Sequence, residues 1–264
     1  MMTPSELFQA GKLAEALAVA TDGVKKHPAD TARRGWLADL LCFQGEWERA
    51  DKQFDAISTQ DSQVAVAISL IRQLIRAETA RSDFYKLGRP PEVLADVTPR
   101  MELHLRASLA LREGKPAEAA QLLAEADAIR PAVAGTHAGE PFDDLRDLDD
   151  LNSSYFELLT STGKYYWVPY ESVQIIEFRK PERPRDLLWR RARMVVNNGP
   201  DGEVYLPAIY PVTAEQGDDG LRLGRATDWR QEPGGPVRGV GQRMLLVGNE
   251  AKSIMALETI EFRQ

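Results

Sequence analysis

The segment Gly11-Lys12-Leu13-Ala14-Glu15-Ala16 returns as Gly45-Glu46-Trp47-Glu48-Arg49-Ala50, and again as Gly114-Lys115-Pro116-Ala117-Glu118-Ala119. Gly11 and Gly45 lie 34 residues apart, the tetratricopeptide period; Gly45 and Gly114 lie 69 apart, two periods and one residue. Each glycine can end one helix in the left-handed turn that side chains resist. The alanine five residues on lets a second helix approach the first closely. A larger apolar residue four further on, Phe54 or Leu123, fills the layer between pairs, with Ala20 in the first copy. Pro28 and Pro131 close their units, because proline cannot continue a helix. Ser62 takes that place in the second copy.

Alanine and leucine recur at helical spacing from Ser5 to Arg130. Residues 1–133 are therefore expected to form a tetratricopeptide-like helical repeat domain. Its centre is irregular. Val64 to Lys86 reads as one long helix, and Pro90-Pro91 interrupt the helical pattern after it. A non-repetitive helical bundle with chance Gly-x4-Ala turns is the alternative.

The composition changes near Pro131. Glycine, proline and acid dominate residues 134–150, which are expected to be an acidic linker. Beyond Leu151, β-branched and aromatic residues alternate with polar ones. Tyr155–Thr160 and Lys164–Val168 flank the short turn Ser161-Thr162-Gly163, a hairpin pattern. Val173–Phe178 is a third strand. Ala192–Val196 and Glu203–Leu206 flank a second hairpin turn, and Asp228–Gln231, Gln242–Val247 and Ile254–Phe262 complete the set. Residues 151–264 are thus expected to form a mainly antiparallel β domain, open or closed into a small barrel. The fold class is α+β.

Charge and cysteine content narrow the function classes. The net charge of −7 argues against a non-specific nucleic-acid binder and against an anionic membrane as partner. The single cysteine, Cys42, allows neither an internal disulfide nor a cysteine-rich zinc site, and its apolar neighbours suggest a buried hydrophobe. No apolar run is long enough to span a bilayer. The N-terminal stretch from Met1 to Glu6 does not have the order of a secretory signal. A cytoplasmic protein is expected.

Catalytic patterns are sparse. Asp143, Asp144, Asp147, Asp149 and Asp150 crowd eight residues around Arg146. Such a run could hold a divalent cation through Asp143, Asp147 and Asp150, but its spacing is not that of a calcium loop. A solvated linker whose aspartates cap turns is the simpler account. His27, His104 and His137 are far apart in sequence and none has a metal-motif neighbour. The glycine-rich stretch 234–241 lacks the Lys-Ser/Thr of a phosphate loop and reads as a flexible connector. No cofactor is expected. In Tyr165-Tyr166-Trp167, Tyr165 and Trp167 share one strand face and Tyr166 takes the other. That face is either core or a docking surface, since Tyr and Trp supply much interface energy.

Several pieces of the second half are more telling together: Asp143-Asp144-Leu145, Tyr165-Tyr166-Trp167-Val168-Pro169, Asp186-Leu187-Leu188-Trp189-Arg190, and Val204-Tyr205-Leu206-Pro207 with Tyr210-Pro211. In this order, behind a helical first half, they resemble the ImpE/TagJ family of bacterial type VI secretion accessory proteins. The resemblance implies a non-enzymatic cytoplasmic adaptor. It would bind the small subunit of the contractile sheath through a helix near that subunit's N-terminus, a region that also concerns the disassembly ATPase. The alternatives are a generic repeat scaffold with another partner and a metal-dependent hydrolase built on Asp143–Asp150. Stacked helix pairs offer a concave groove for an amphipathic helix. On that reading Asp39, Cys42 and Phe43, on the helix Thr31–Phe43, face the groove and contact the partner.

Overall fold

The computed structural model describes residues 2–215 and 217–263. Met1, where the N-terminal stretch read for a secretory signal begins, lies outside the described residues, as do Gln216 and Gln264. Seven helices come first: α1 (Pro4–Gln9), α2 (Leu13–Lys26), α3 (Thr31–Phe43), α4 (Trp47–Gln60), α5 (Ala65–Leu87), α6 (Pro99–Arg112) and α7 (Pro116–Ala128). Gly11, Gly45 and Gly114 all have positive φ, at 80°, 75° and 70°. At each, the same pair of bonds closes the preceding helix. Gly45 N–H donates to Cys42 O at 3.0 Å, and Glu46 N–H to Leu41 O at 2.9 Å. The alanines five residues on, Ala16, Ala50 and Ala119, are wholly buried. A methyl is all that fits where the paired helices touch. α5 is the one long helix that the sequence leads one to expect at the irregular centre of the array, and Gly88 ends it at φ 81°.

The second half is antiparallel throughout its named strands. Eight strands form the main sheet in the order β2 (Glu140–Phe142), β1 (Gly135–His137), β13 (Thr259–Phe262), β6 (Val173–Phe178), β7 (Trp189–Val196), β8 (Asp201–Pro207), β4 (Tyr155–Leu159), β5 (Tyr165–Pro169). A three-stranded sheet runs β12 (Glu250–Ser253), β11 (Met244–Val247), β3 (Leu145–Asp147). The strands β9 (Thr227–Gln231) and β10 (Val237–Gly241) pair as a ribbon, and a short helix α8 (Asp219–Arg222) precedes them. The expected strand Ile254–Phe262 is split, because Ile254–Ala256 makes a 3-10 turn before β13.

The main sheet is buried on both faces along β4. Tyr155 and Leu159 join the core shared with the helices, whereas Phe156 and Leu158 join a second core with Leu245, Val247 and Phe142. A strand covered on both sides reads as a continuous apolar run, which is how Tyr155-Phe156-Glu157-Leu158-Leu159 reads apart from one acid.

Two expectations need correction. Residues 134–150 are not a linker. They supply β1 and β2 to the main sheet and β3 to the smaller one, pairing with β13 and β11 from the C-terminal end of the chain. The glycine-rich stretch is not a flexible connector either. Its second part, Val237–Gly241, is β10, and Gly239 and Gly241 are there for close approach. A Cβ on Gly239 would sit 2.2 Å from the ring of Tyr210, and one on Gly241 would sit 2.1 Å from Ala226 O.

Gly239→Ala should therefore destabilise the protein by about 1–3 kcal/mol or more, as overpacking does. Gly202→Ala in β8, where a Cβ meets nothing within 4 Å, serves as the comparison. Urea-unfolding midpoints of the two variants check this; equal midpoints would refute the packing argument.

Candidate functional site

The helical and β halves meet at a buried charge cluster centred on Glu157 of β4. Strand alternation turns Glu157 toward the helices, beside Tyr155 and Leu159, and it is wholly buried. A buried carboxylate is tolerated only when donors converge on it. Arg81 of α5 donates from Nε to Oε1 and from Nη2 to Oε2, both at 3.0 Å. Arg243 also donates to Oε2, and the hydroxyls of Tyr85 (2.9 Å) and Tyr165 donate to Oε1. Burial pushes the Glu157 carboxyl up, but Arg81 and Arg243 outweigh it and hold the group well below the usual carboxylate range.

The cluster spreads from there. Glu78, one turn before Arg81, accepts from Arg81 Nη1 at 2.8 Å and from Trp189 Nε1 at 3.1 Å. Trp167 Nε1 donates to Tyr165 Oη at 2.6 Å, and its ring stacks on Tyr155 at 3.8 Å. Arg243 also pairs with Asp147 at 3.2 Å, while Tyr210 donates to Asp147 at 2.7 Å. Arg238 donates to Asp149 at 2.9 Å. Four carboxylates thus share three guanidiniums. Burial raises Asp147 to about 7, against the pull of Arg243.

The acidic run of the sequence is dispersed by this arrangement. Asp147 and Asp149 do cap the local turn, accepting Asp149 N–H at 2.8 Å and Leu151 N–H at 3.0 Å, but they are wholly buried counter-ions and not solvated. Asp144 pairs with Arg130 and accepts Val133 N–H at 2.9 Å. Asp150 accepts Val237 N–H at 2.7 Å, and Asp143 is exposed. Asp143, Asp147 and Asp150 do not converge, and among the described residues no group of three His, Cys, Asp or Glu side chains could hold a metal.

The groove candidates fare differently from expectation. Asp39, Cys42 and Phe43 are all buried. Asp39 pairs with Arg185 at 3.3 Å, from the 3-10 turn Pro184–Leu187. Phe43 packs on Phe8 at 5.2 Å. Cys42 and Phe43 line a small cavity closed by Leu188, Trp189, Pro207 and Ile209. The concave side of the helices is therefore filled by the chain's own β half, because its apolar stripe must be covered by something. Burial raises both Asp39 and the Cys42 thiol. Tyr165 and Trp167 do share a face, and that face is core: Phe84 of α5 lies 4.9 Å from Trp167. The sequence reading missed Glu78, Arg81, Glu157 and Arg243. The signal was there in Glu157, a lone acid in an apolar strand.

His104 is buried on α6. Its Nδ1 lies 2.9 Å from Leu151 O, which can only accept, so Nδ1 carries the proton and Nε2 accepts from Ser154 Oγ at 3.1 Å. Burial lowers its pKa to about 4.

Comparison with known proteins reinforces the two-part reading. The tetratricopeptide repeat profile matches residues 7–74, and the profile of the ImpE protein family matches residues 139–261. The type VI secretion system accessory component TagJ of Pseudomonas aeruginosa is 31% identical over 272 residues, covering 99% of this chain and 91% of that protein. The chain belongs to the ImpE family. A crystal structure of a protein from Vibrio parahaemolyticus superposes with a TM-score of 0.92 at 25% identity, covering 99% of this chain and 97% of that one. This ImpE protein is a homologue of the accessory component TagJ, and among its described residues no helix is long and apolar enough to cross a membrane.

The cluster and His104 each make a testable demand. Glu157→Gln leaves Arg81 and Arg243 short of a counter-ion in the interior. It should cost about 3–5 kcal/mol in chemical unfolding; a loss under ~1 kcal/mol would show that the cluster relaxes into water. For His104, the folded pKa lies below the unfolded value of about 6.5, so the unfolded chain takes up the proton first. Its contribution is present above pH ~6.5 and is lost as the pH falls toward 4. Relative to His104→Gln, in which Asp147 and the carboxylates titrate alike, the parent should lose on the order of 3 kcal/mol between pH 7 and 4. A difference independent of pH would refute the neutral buried imidazole.

Proposed function

We propose that this ImpE protein is a non-enzymatic adaptor of a bacterial type VI secretion system. It binds the small sheath subunit through a helix near that subunit's N-terminus and modulates sheath assembly or recycling, in the neighbourhood of the disassembly ATPase. The observation that carries this reading is the match to the accessory component TagJ along nearly the whole chain, both halves included. A relative aligned in both halves supports a shared task that uses the halves together.

The internal chemistry is consistent with a binding role. Asp144, Asp147, Asp149 and Asp150 are each held in an ion pair or backbone bond, and the buried carboxylates face guanidiniums rather than open space. A repeat fold with an interior of this kind offers surface to another polypeptide. Because Asp39 and Phe43 are core residues, they are not the contact residues; the partner meets the outer surface or a groove at the boundary of the two halves.

The test is a pull-down of the sheath small subunit by the full chain, with and without that subunit's first helix. Retention of the intact subunit and loss of the truncated one is the expected result. Equal capture of both, or of neither, would overturn the reading. In the same assay Asp39→Ala and Phe43→Ala should act through stability, lowering the thermal midpoint along with binding.

A further inference from the structure

The ribbon of β9 and β10 has one closed edge and one open edge. Just beyond the two strands, Gln242 N–H donates to Ala226 O at 2.9 Å. In an antiparallel ladder the bonded pairs alternate, so Asp228 with Val240 and Arg230 with Arg238 are bonded pairs as well. Val237, Gly239 and Gly241 therefore turn their backbone groups away from β9. Each N–H finds a partner on that side: Val237 donates to Asp150 at 2.7 Å, Gly239 to Asp149 at 2.9 Å and Gly241 to Thr213 Oγ1 at 2.8 Å. The chain's own side chains close this edge.

The same alternation turns the backbone groups of Thr227, Trp229 and Gln231 outward along the free side of β9. Among the described residues no strand or loop backbone pairs with them there. The N–H of Trp229 is met by the carboxylate of its own neighbour Asp228, at 2.8 Å. The last four residues of β9 are exposed. Trp229 is 39% exposed, with its ring 6.0 Å from that of Tyr210. An open edge of this kind is a template for another strand. Elsewhere the molecule blocks its edges. Glu92 exchanges backbone bonds with Tyr165 and Trp167 along β5, and Pro141 interrupts β2.

The order of side chains in β9 fits a second copy of itself. Two such strands, antiparallel, must match outward-facing residues with outward-facing residues. Centred on Asp228, the pairing would set acid against acid; centred on Arg230, it would set arginine against arginine. Like charges directly opposite are destabilising. Centred on Trp229, the pairing sets Asp228 of each copy against Arg230 of the other, and the two indoles lie opposite each other on the other face. Arg230 already has a contact within its own chain, and a guanidinium carries enough donors to serve both.

We propose that two copies of this chain associate through β9, antiparallel about a two-fold axis at Trp229. The two ribbons then join into one sheet in the order β10–β9–β9–β10. A two-stranded ribbon gains from added strands, because alone it is marginally stable. On association Trp229 N–H passes from Asp228 to the carbonyl of the second Trp229, and the released carboxylate meets Arg230. The contact is isologous, so it closes at the dimer and does not grow into a fibre. It is also short, so the dimer is weak and forms only at high protein concentration. The association is independent of any sheath subunit.

The experiment is sedimentation velocity on the full chain from low micromolar to near-millimolar concentration. The parent should pass reversibly from monomer to dimer. Asp228→Arg puts arginine against arginine at both pairs, and Arg230→Asp puts acid against acid. Each variant alone should raise the dissociation constant at least about tenfold. Mixed in equal amounts, the two variants present opposite charges to each other, and the mixture should dimerise about as well as the parent. That rescue also shows that both variants are folded. A parent that stays monomeric throughout the range overturns the proposal. Single variants that dimerise as the parent does would place the contact elsewhere and overturn it too. A mixture no more dimeric than its components would overturn the register about Trp229.

Discussion

Glu157 sits in a strand whose five residues are all buried, and the two halves of the molecule are organised around keeping it ionised. One of its guanidiniums comes from α5 and the other from the residue before β11. Tyr85 comes from the helices and Tyr165 from the next strand. The donors therefore converge only when the β half is seated on the helices in one orientation. A hydrophobic contact of the same area would be at least as stabilising, since desolvating charges is costly. What the ion cluster adds, on this argument, is selection among seatings. A shift of one strand position would turn Glu157 to the other face, into the apolar core with Phe156 and Leu158.

That seating decides which surfaces are free. Tetratricopeptide-like arrays present the first helix of each pair on their concave side, and in an open array that side is the natural groove. Here it is taken. α3 gives its inner face to Arg185 and Phe8, α5 gives its middle to Trp167 and Glu157, and Trp47 stands 6.1 Å from Trp189. The β half acts as a permanent occupant of the groove that its own helices form. What remains for a partner lies where the cover stops, and it stops along the first turns of α5.

The sequence made some of this legible and hid the rest for identifiable reasons. The turn glycines, the alanines five residues on, the long central helix and the hairpin around Gly163 were readable because each is a local rule: a positive φ, a helix period, a turn type. The alternation of Tyr165, Tyr166 and Trp167 was readable for the same reason. The 134–150 segment was not, because its strands are three residues long and its partners, β11 and β13, lie about a hundred residues away. Its aspartates looked like solvated acids for want of Arg238 and Arg243, which only the fold brings near. The glycine-rich stretch misled in the opposite direction. Glycine marks flexibility and close approach with the same letter, and Tyr210 over Gly239 is visible only in three dimensions. Asp39 and Phe43 lie on α3 as read; what the sequence did not show was Arg185 against Asp39 and Phe8 of α1 against Phe43.

Many of the molecule's charges are paired, on its surface as well as inside. Arg190 is buried with no carboxylate within ion-pair distance among the described residues, but buried Arg100 finds Glu171 and half-buried Arg130 finds Asp144. Surface helices do the same at one-turn spacing, as in Lys52 with Glu48 and Lys26 with Asp22. Exposed pairs of this kind contribute little to stability, so they are not maintained by folding alone. Against that background Lys25, Arg106, Lys180 and Arg183 are exposed cations without an acidic partner within ion-pair distance among the described residues. A fold that covers its concave face internally has to meet its partners at an edge, and charge left uncompensated at an edge steers an oppositely charged segment to it before the apolar contact forms.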